Sequence, residues 1–290
     1  MNWQVFKTRA LTALVFVAVM LGGLLWNEWS FFILFSVIHG GCWIEYQRLI
    51  KRIDPSYRQV SSFHAYGVML AGWSLMLYCA GDSYRIGNIT LHAIGLVAGL
   101  IFAFALPIVE ILFAKRSNLK HISYSAMGLL YISLSWSLMI SIRSIEGMWT
   151  AGNGRQFETG WILPLVIVFS IWINDTMAYI IGSLIGRTPF SKVSPKKTIE
   201  GTIGGAVLCI AVMGMLAYYM QLPVMHVCII AAIAAMVGTA GDLLESKLKR
   251  MADVKDSGHI MPGHGGFLDR FDSLLLATPV VWLYVMAAVK

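Results

Sequence analysis

Residues 89–113, ITLHAIGLVAGLIFAFALPIVEILF, decide the fold of this 290-residue chain. The stretch is apolar almost throughout, and it exceeds the ~20 residues with which a helix crosses a bilayer. Lipid offers no water to bond exposed backbone groups, so we predict a membrane-spanning helix, which satisfies its own backbone. The apolar residues are continuous and do not alternate, which argues against a membrane β-barrel.

Eight further apolar runs lie at about 10–26, 31–47, 64–80, 122–142, 161–185, 203–220, 223–241 and 273–289. Charged residues make up 13% of the chain, against roughly 25% in a soluble domain. We therefore predict an all-α, polytopic integral membrane protein with about nine transmembrane helices. Because no repeat or linker is visible, we predict a single membrane domain over 1–290. Its N-terminal helices (1–160) have no assigned role, and 161–290 carries the polar loops.

Positive charge predicts the orientation of these helices. With the N-terminus inside, the inner segments hold most Lys and Arg residues, and the outer segments hold only Arg85, Arg143, Arg155 and Lys290 of the 22. This bias predicts a multi-pass protein of the inner (cell) membrane with its N-terminus in the cytoplasm and its C-terminus outside. Two polar loops, 186–201 and 245–272, then face the cytoplasm. Cations spread over several short loops also argue against a nucleic-acid partner.

The polar segment after the eighth apolar run is dense in charge and glycine. Its start is predicted to continue as a helix that presents one polar face, formed by Asp242, Glu245, Ser246 and Lys249. Four glycines within 258–266 predict tight turns with backbone N–H groups near phosphate oxygens. Asp269 and Asp272 follow one helical turn apart. Carboxylates suit Mg²⁺ together with substrate phosphates, so we predict a metal–phosphate site here and not a solvated connector.

The residues of this segment form a recognisable pattern: Ser246-x-x-Lys249-Arg250-x₄-Lys255-Asp256, then Pro262-x-His264-Gly265-Gly266-x-x-Asp269-Arg270-x-Asp272. The pattern resembles the signature of phosphatidate cytidylyltransferases, also called CDP-diacylglycerol synthases. Two upstream stretches resemble the same family: Asp175-Thr176-x-Ala178-Tyr179-x-x-Gly182 and Ser194-Pro195-Lys196-Lys197-Thr198-x-Glu200-Gly201. The resemblance implies the family's fold of nine transmembrane helices.

The resemblance also implies a reaction that joins CTP to phosphatidic acid and yields CDP-diacylglycerol and pyrophosphate. It implies Mg²⁺ as cofactor, with a second cation as an open alternative, and metal ligands among Asp242, Asp269, Asp256 and Asp272. The chemistry would involve these four residues with Lys255, Arg270 and His264. Substrate would be bound by Ser194, Lys196, Lys197, Thr198, Ser246, Lys249, Arg250, Gly265, Gly266 and Asp175. The lipid phosphate is already ionised near neutral pH, so positioning and charge neutralisation matter more than a general base.

Structural alternatives stay open for these residues. Instead of binding a metal, each carboxylate could form a salt bridge with Arg250 or Arg270. Instead of binding phosphate, the cations could serve only to orient the helices in the membrane. The stretch 194–198 also fits a helix cap, His264 a neutral structural histidine, and Asp175 a polar network inside the sixth span. Glu45 and Glu110, near inner helix ends, are predicted to be solvated or paired and receive no role.

Two other functions remain as alternatives. The protein could cytidylylate another lipid phosphate, and the sequence does not separate this activity from the first. A transporter with Asp175 on an ion path is the other, although no inverted repeat supports it. The predicted partners are CTP, phosphatidic acid and the lipid bilayer, with a homodimer as an open alternative for the oligomeric state.

Overall fold

The computed structural model describes residues 3–113, 119–150, 154, 156–260 and 265–289. The chain forms two compact units. The first comprises Met1–Ser144 with Leu248–Arg270, and the second comprises Ile145–Lys247 with Phe271–Lys290. The organisation as a single membrane domain stays a prediction.

The described part of Met1–Ser144 in the first unit forms the helices α1 (Trp3–Leu25), α2 (Glu28–Ile53), α3 (Ser62–Tyr78), α4 (Leu91–Phe113), α5 (Leu119–Gly128) and α6 (Leu134–Arg143). A π-helical segment, Leu129–Ser133, connects α5 to α6 without a break. A 3-10 helix, Pro55–Gln59, follows α2, and a short hairpin of β1 (Arg85–Ile86) and β2 (Ile89–Thr90) precedes α4.

Polar caps define where α2 begins and ends. At its start, the Asn27 side chain accepts from the Ser30 N–H at 2.8 Å, and the Ser30 hydroxyl accepts from the Asn27 N–H at 3.0 Å. This reciprocal pair satisfies two N–H groups that lie outside the helical ladder. At its end, Asp54 leaves the helical conformation and caps the 3-10 helix by accepting from the Ser56 N–H at 2.9 Å.

Aromatic side chains fill the core of the first unit. Phe35, Trp43 and Trp136 are fully buried. The buried Ser133 hydroxyl lies beside Trp43: it accepts from Trp43 Nε1 at 2.8 Å and bonds His39 Nε2 at 2.9 Å. Buried polar groups are tolerated when they are bonded in this way.

The described residues of the second unit form a hairpin of β3 (Met148–Thr150) and β4 (Gln156–Glu158) and the helices α7 (Thr159–Ile185), α8 (Ile199–Tyr219), α9 (Val224–Met251) and α10 (Leu268–Ala288). The last residues of α9 and the first of α10 belong to the first unit. Helices α7 and α8 approach closely at two glycines, because a Cβ on Gly201 or Gly205 would lie within 2.8 Å of Ala178.

The nine predicted apolar runs lie mainly in helices, although the run 89–113 begins in β2 and becomes helical at Leu91. Among the described residues, six helices are long and apolar enough to cross a membrane: Leu91–Leu112, Leu119–Arg143, Thr159–Ile185, Ile199–Tyr219, Val224–Met251 and Leu268–Ala288. The first run corresponds to a shorter apolar stretch, Ala10–Leu25. The mainly helical, membrane-type architecture is confirmed, whereas the number of nine spans and the orientation of the termini stay predictions.

Candidate active site

Three carboxylates from α9 and α10 meet in the second unit. One oxygen each of Asp242, Glu245 and Asp272 lies within 4.8 Å of the others. Glu245 and Asp272 are buried, and Asp242 is half-buried. Gly241 allows the two helices to approach here, because a Cβ at this position would lie 2.5 Å from the Asp272 carbonyl oxygen.

This carboxylate cluster has the chemistry of a divalent cation site. Buried like charges repel each other, and a cation between them removes that cost. Hard oxygen donors are the ligands that Mg²⁺ takes, together with substrate phosphates. Two of the predicted metal ligands, Asp242 and Asp272, lie in the cluster. Its third member, Glu245, was predicted only as part of the polar face of α9.

The polar face predicted for α9 is its buried side in this region. Glu245 and Ser246 are buried, whereas Leu244 and Lys247 are exposed. The Ser246 hydroxyl donates to Asp242 Oδ1 at 3.2 Å, one turn earlier on the helix. Ser246 therefore orients a carboxylate of the cluster.

Lys197 reaches the same cluster from the loop before α8 by forming an ion pair with Asp242. Glu200 holds this loop, since its carboxylate accepts from the Thr188 N–H at 3.2 Å and from the Thr188 hydroxyl at 2.8 Å. A backbone bond from the Phe190 N–H to the Lys197 carbonyl, at 2.7 Å, closes the loop. Two predicted site residues, far apart in sequence, thus lie side by side.

The neighbours of Lys197 take different positions. Thr198 is the N-cap of α8 and accepts from the Gly201 N–H at 3.1 Å, which is the structural role considered for this stretch. Lys196 is exposed, and Ser194 is half-buried. Asp175 is exposed on α7, within electrostatic reach of Asp272.

In the first unit, Asp269 organises the signature loop. Its Oδ1 accepts from Lys249 Nζ at 2.6 Å. Its Oδ2 accepts from the N–H and the hydroxyl of Ser257, both at 2.9 Å, and from the Gly266 N–H at 2.7 Å. The Lys249 and Asp269 side chains are only 12% and 8% exposed, so this pair is well shielded from water. Asp269 as a metal ligand stays a prediction.

Two loop positions next to Asp269 require glycine. Gly265 has φ +82°, a conformation that side chains rarely adopt, and a Cβ there would lie 2.5 Å from Asp269 Oδ2. A Cβ on Gly266 would overlap the Glu45 carboxylate. These glycines therefore let the backbone close around two acidic side chains.

The remaining predicted residues lie in less enclosed positions. Lys255 and Asp256 are exposed and line a pocket in the first unit. Arg250 is exposed and donates to the Val254 carbonyl at 3.1 Å. Arg270 is exposed at the start of α10. His264 lies outside the described residues.

Glu45 of α2 is a site residue that the sequence analysis missed. Both Glu45 and Glu110 were predicted to be solvated or paired, with no role: Glu45 is 3% exposed and hydrogen-bonded, and Glu110 pairs with His64 at 3.1 Å. Glu45 accepts from the Ser257 hydroxyl at 2.7 Å and from the N–H groups of Phe267 and Leu268 at 2.9 Å. A carboxylate inside an apolar run was the available signal, since such groups usually have a specific partner.

Replacing Glu45 with Gln is expected to lower the thermal unfolding midpoint by several degrees and turnover by roughly 100-fold. A charge-assisted hydrogen bond contributes about 1.5–3 kcal/mol, and the amide would turn a donor toward groups that already donate. Thermal unfolding in detergent and a product assay measure the two effects. The matched control is Glu146→Gln, at an exposed position. If both variants behave alike, Glu45 does not hold the loop.

Comparisons with known proteins show the family of the chain. The model of the Cytidylyltransferase family matches residues 7–288. A phosphatidate cytidylyltransferase of Bacillus subtilis (strain 168) is 31% identical over 98% of this chain and 97% of that protein. Proteins of the same name from Synechocystis sp. and Aquifex aeolicus are both 35% identical, over 59% and 60% of this chain. These two matches span 64% and 61% of the relatives' length. The chain belongs to the cytidylyltransferase family.

Proposed function

We propose that the protein transfers the cytidylyl group of CTP to phosphatidic acid, giving CDP-diacylglycerol and pyrophosphate in phospholipid biosynthesis. Two observations support this proposal. The chain belongs to the cytidylyltransferase family, and Lys197 lies beside the carboxylate cluster of Asp242, Glu245 and Asp272. The Bacillus subtilis relative, matched over 97% of its length, is named for the same reaction.

In the proposed reaction, an oxygen of the lipid phosphate forms a bond to the α-phosphorus of CTP. The bond between that phosphorus and the pyrophosphate group breaks. Both reactants are anions, so the protein must hold them together and offset their repulsion. Lys197 supplies positive charge next to the cluster, and Lys249 supplies it next to Asp269. No residue is needed as a strong base, because the lipid phosphate is ionised near neutral pH.

The three carboxylates of the cluster are the residues that would hold Mg²⁺. When bound, the ion would supply positive charge that stabilises the developing charge on phosphate oxygens. Asp269 and Asp256 remain proposed ligands for a second cation. Asp242 would exchange its ion pair with Lys197 for the metal, which would free that lysine to bind a phosphate group.

The charge bias of the sequence supports the location proposed for this reaction. We place the protein in the inner (cell) membrane, with the site on the cytoplasmic face where CTP is present. Phosphatidic acid would enter from the bilayer. A homodimer stays a proposal for the oligomeric state.

The test is product formation by the purified protein with radiolabelled CTP, Mg²⁺ and a panel of lipid phosphates. We expect labelled CDP-diacylglycerol and pyrophosphate in equal amounts with phosphatidic acid. Competition by a polyprenyl phosphate or an ether-lipid phosphate separates the preferred substrate from the alternative. No labelled lipid under varied detergents and divalent ions would contradict the proposal.

Replacing Lys197 with Gln is expected to lower kcat/KM for CTP about 10- to 100-fold. A charge-assisted bond to phosphate contributes about 1.5–3 kcal/mol, which corresponds to this range. Steady-state kinetics with CTP as the varied substrate measures the effect. The matched control is Lys192→Gln in the same loop, where the side chain is exposed. Equal kinetics of the two variants would remove Lys197 from the site.

A further inference from the structure

A polar pocket of about 340 Å³ lies in the first unit between the end of α2 and residues 254–259. Arg48 and Arg52 form the α2 side of this pocket. They are one helical turn apart and therefore lie on the same face of the helix. Both side chains are exposed, so they are accessible to a ligand from solvent.

The opposite wall of the pocket is hydrogen-bonded to α2. Ser257 and Gly258 are buried there, and the Ser257 hydroxyl donates to Glu45 at 2.7 Å. A Cβ on Gly258 would overlap the Glu45 carboxylate, so only glycine permits this close approach. Ser257 also bonds Asp269. The wall is thus part of the same hydrogen-bonded network as the signature loop.

The charge of the pocket is strongly biased. Among the residues that the structure describes, its lining includes three cations, Arg48, Arg52 and Lys255, and one carboxylate, Asp256. The Glu45 carboxylate is buried behind this wall, where its oxygens accept bonds from the loop, and it does not line the pocket. Guanidinium groups match the oxygens of a phosphate in shape and charge.

We infer that this pocket is an anion-binding site in which Arg48, Arg52 and Lys255 bind a phosphate group. The inference rests on the proposed function, which supplies two phosphate-bearing substrates and two phosphate-bearing products. It also assigns a role to the N-terminal half of the chain: α2 contributes both the side chain that fixes the loop and the cations that face it.

If the two arginines have only a structural role, phosphate binding should not depend on them. Cations near the end of a helix interact favourably with its dipole, and inner-loop cations orient membrane proteins. Lys51 and Arg58 satisfy both descriptions equally well, since they also lie at or just after the end of α2. Neither lines this pocket. The double variant Lys51→Gln/Arg58→Gln therefore removes the same charge without altering the pocket.

The experiment measures binding directly in the unsubstituted protein, in Arg48→Gln/Arg52→Gln and in the Lys51/Arg58 control. Isothermal titration with pyrophosphate and with CTP tests a nucleotide source. Titration with phosphatidic acid in phosphatidylcholine micelles, against phosphatidylcholine alone, tests a lipid source. We expect the affinity of at least one probe for the arginine variant to fall about tenfold or more, because charge-assisted bonds are lost. The same probe should bind the control variant with unchanged affinity. Weakening should be confined to the probe whose phosphate occupies the pocket.

Equal binding of every probe to all three proteins would overturn the inference, as would the absence of phosphate binding to the unsubstituted protein. Arg48→Lys/Arg52→Lys covers the case in which the glutamine variant does not fold. This variant keeps the charge and loses the fork-shaped contacts, so we expect binding between that of the other two. Binding does not depend on turnover. A protein that makes no CDP-diacylglycerol but loses phosphate affinity with the arginines would therefore contradict the proposed function alone.

Discussion

Replacing Asp272 with Asn is expected to lower turnover at least ~10³-fold while leaving the protein folded. The substitution removes one of three clustered carboxylates, and charge stabilisation by a bound metal contributes several kcal/mol to such reactions. The amide has the same shape and can still accept the Ser273 N–H, which lies 2.6 Å from Asp272 Oδ1. Transfer of label from CTP to lipid measures the rate.

A second measurement separates metal binding from damage to the fold. In a metal chelator, Asp272→Asn should be at least as thermally stable as the unsubstituted protein, because repulsion within the cluster falls. Added Mg²⁺ should stabilise the unsubstituted protein and have little effect on the variant. The control is Asp253→Asn, at an exposed position with φ +53° that Asn adopts readily. Normal turnover and a normal Mg²⁺ response of Asp272→Asn would exclude the cluster as the metal site.

Replacing Asp269 with Asn is expected to lower turnover by roughly 10²- to 10³-fold. A single amide oxygen can still accept from Ser257 and Gly266, so the loop should keep its conformation. The amide nitrogen would then face the ammonium group of Lys249, which now bonds Asp269 at 2.6 Å. The charge that holds Lys249 in place is lost, together with any metal ligation by this carboxylate.

The Lys249→Gln variant determines which of these two losses matters. If Asp269 acts only through Lys249, the double variant Asp269→Asn/Lys249→Gln should turn over no more slowly than either single variant. If Asp269 also binds a cation, Lys249→Gln should retain much more activity than Asp269→Asn. Lys247→Gln, an exposed position on the same helix, is the control for charge. Near-normal turnover of Asp269→Asn would remove it from the proposed ligands.

The sequence predicted the helices well because their signal is local. Each long apolar run forms a helix, and the prediction that the eighth run continues past its apolar part is confirmed by α9, which extends to Met251. The last helix begins before its apolar run. The run starts at residue 273, whereas α10 starts at Leu268, next to the pair Asp269 and Asp272 that was predicted to lie one helical turn apart at the start of the last span. Carboxylates in a first turn, such as Asp269, favour a helix start but carry no hydropathy signal.

The candidate site was predicted less completely, for a physical reason. The signature residues were recognisable as a pattern, and helical periodicity placed Glu245 and Ser246 on the polar face of α9. Periodicity does not specify which side chains from other elements approach that face. The ion pair between Lys197 and Asp242 joins residues from different elements, and it depends on a loop held by Glu200.

By itself, the sequence determined the helical, membrane-type architecture and the family, and it predicted most of the polar residues of the candidate site, because these properties reside in continuous segments. Only the tertiary structure assigned Glu45 to the signature loop, across 212 residues of chain to Ser257. The same holds for Glu245, whose place beside Asp242 and Asp272 depends on the close approach of α9 and α10 at Gly241. A buried carboxylate acquires its role from the donors and charges that packing brings to it, and no local pattern records them.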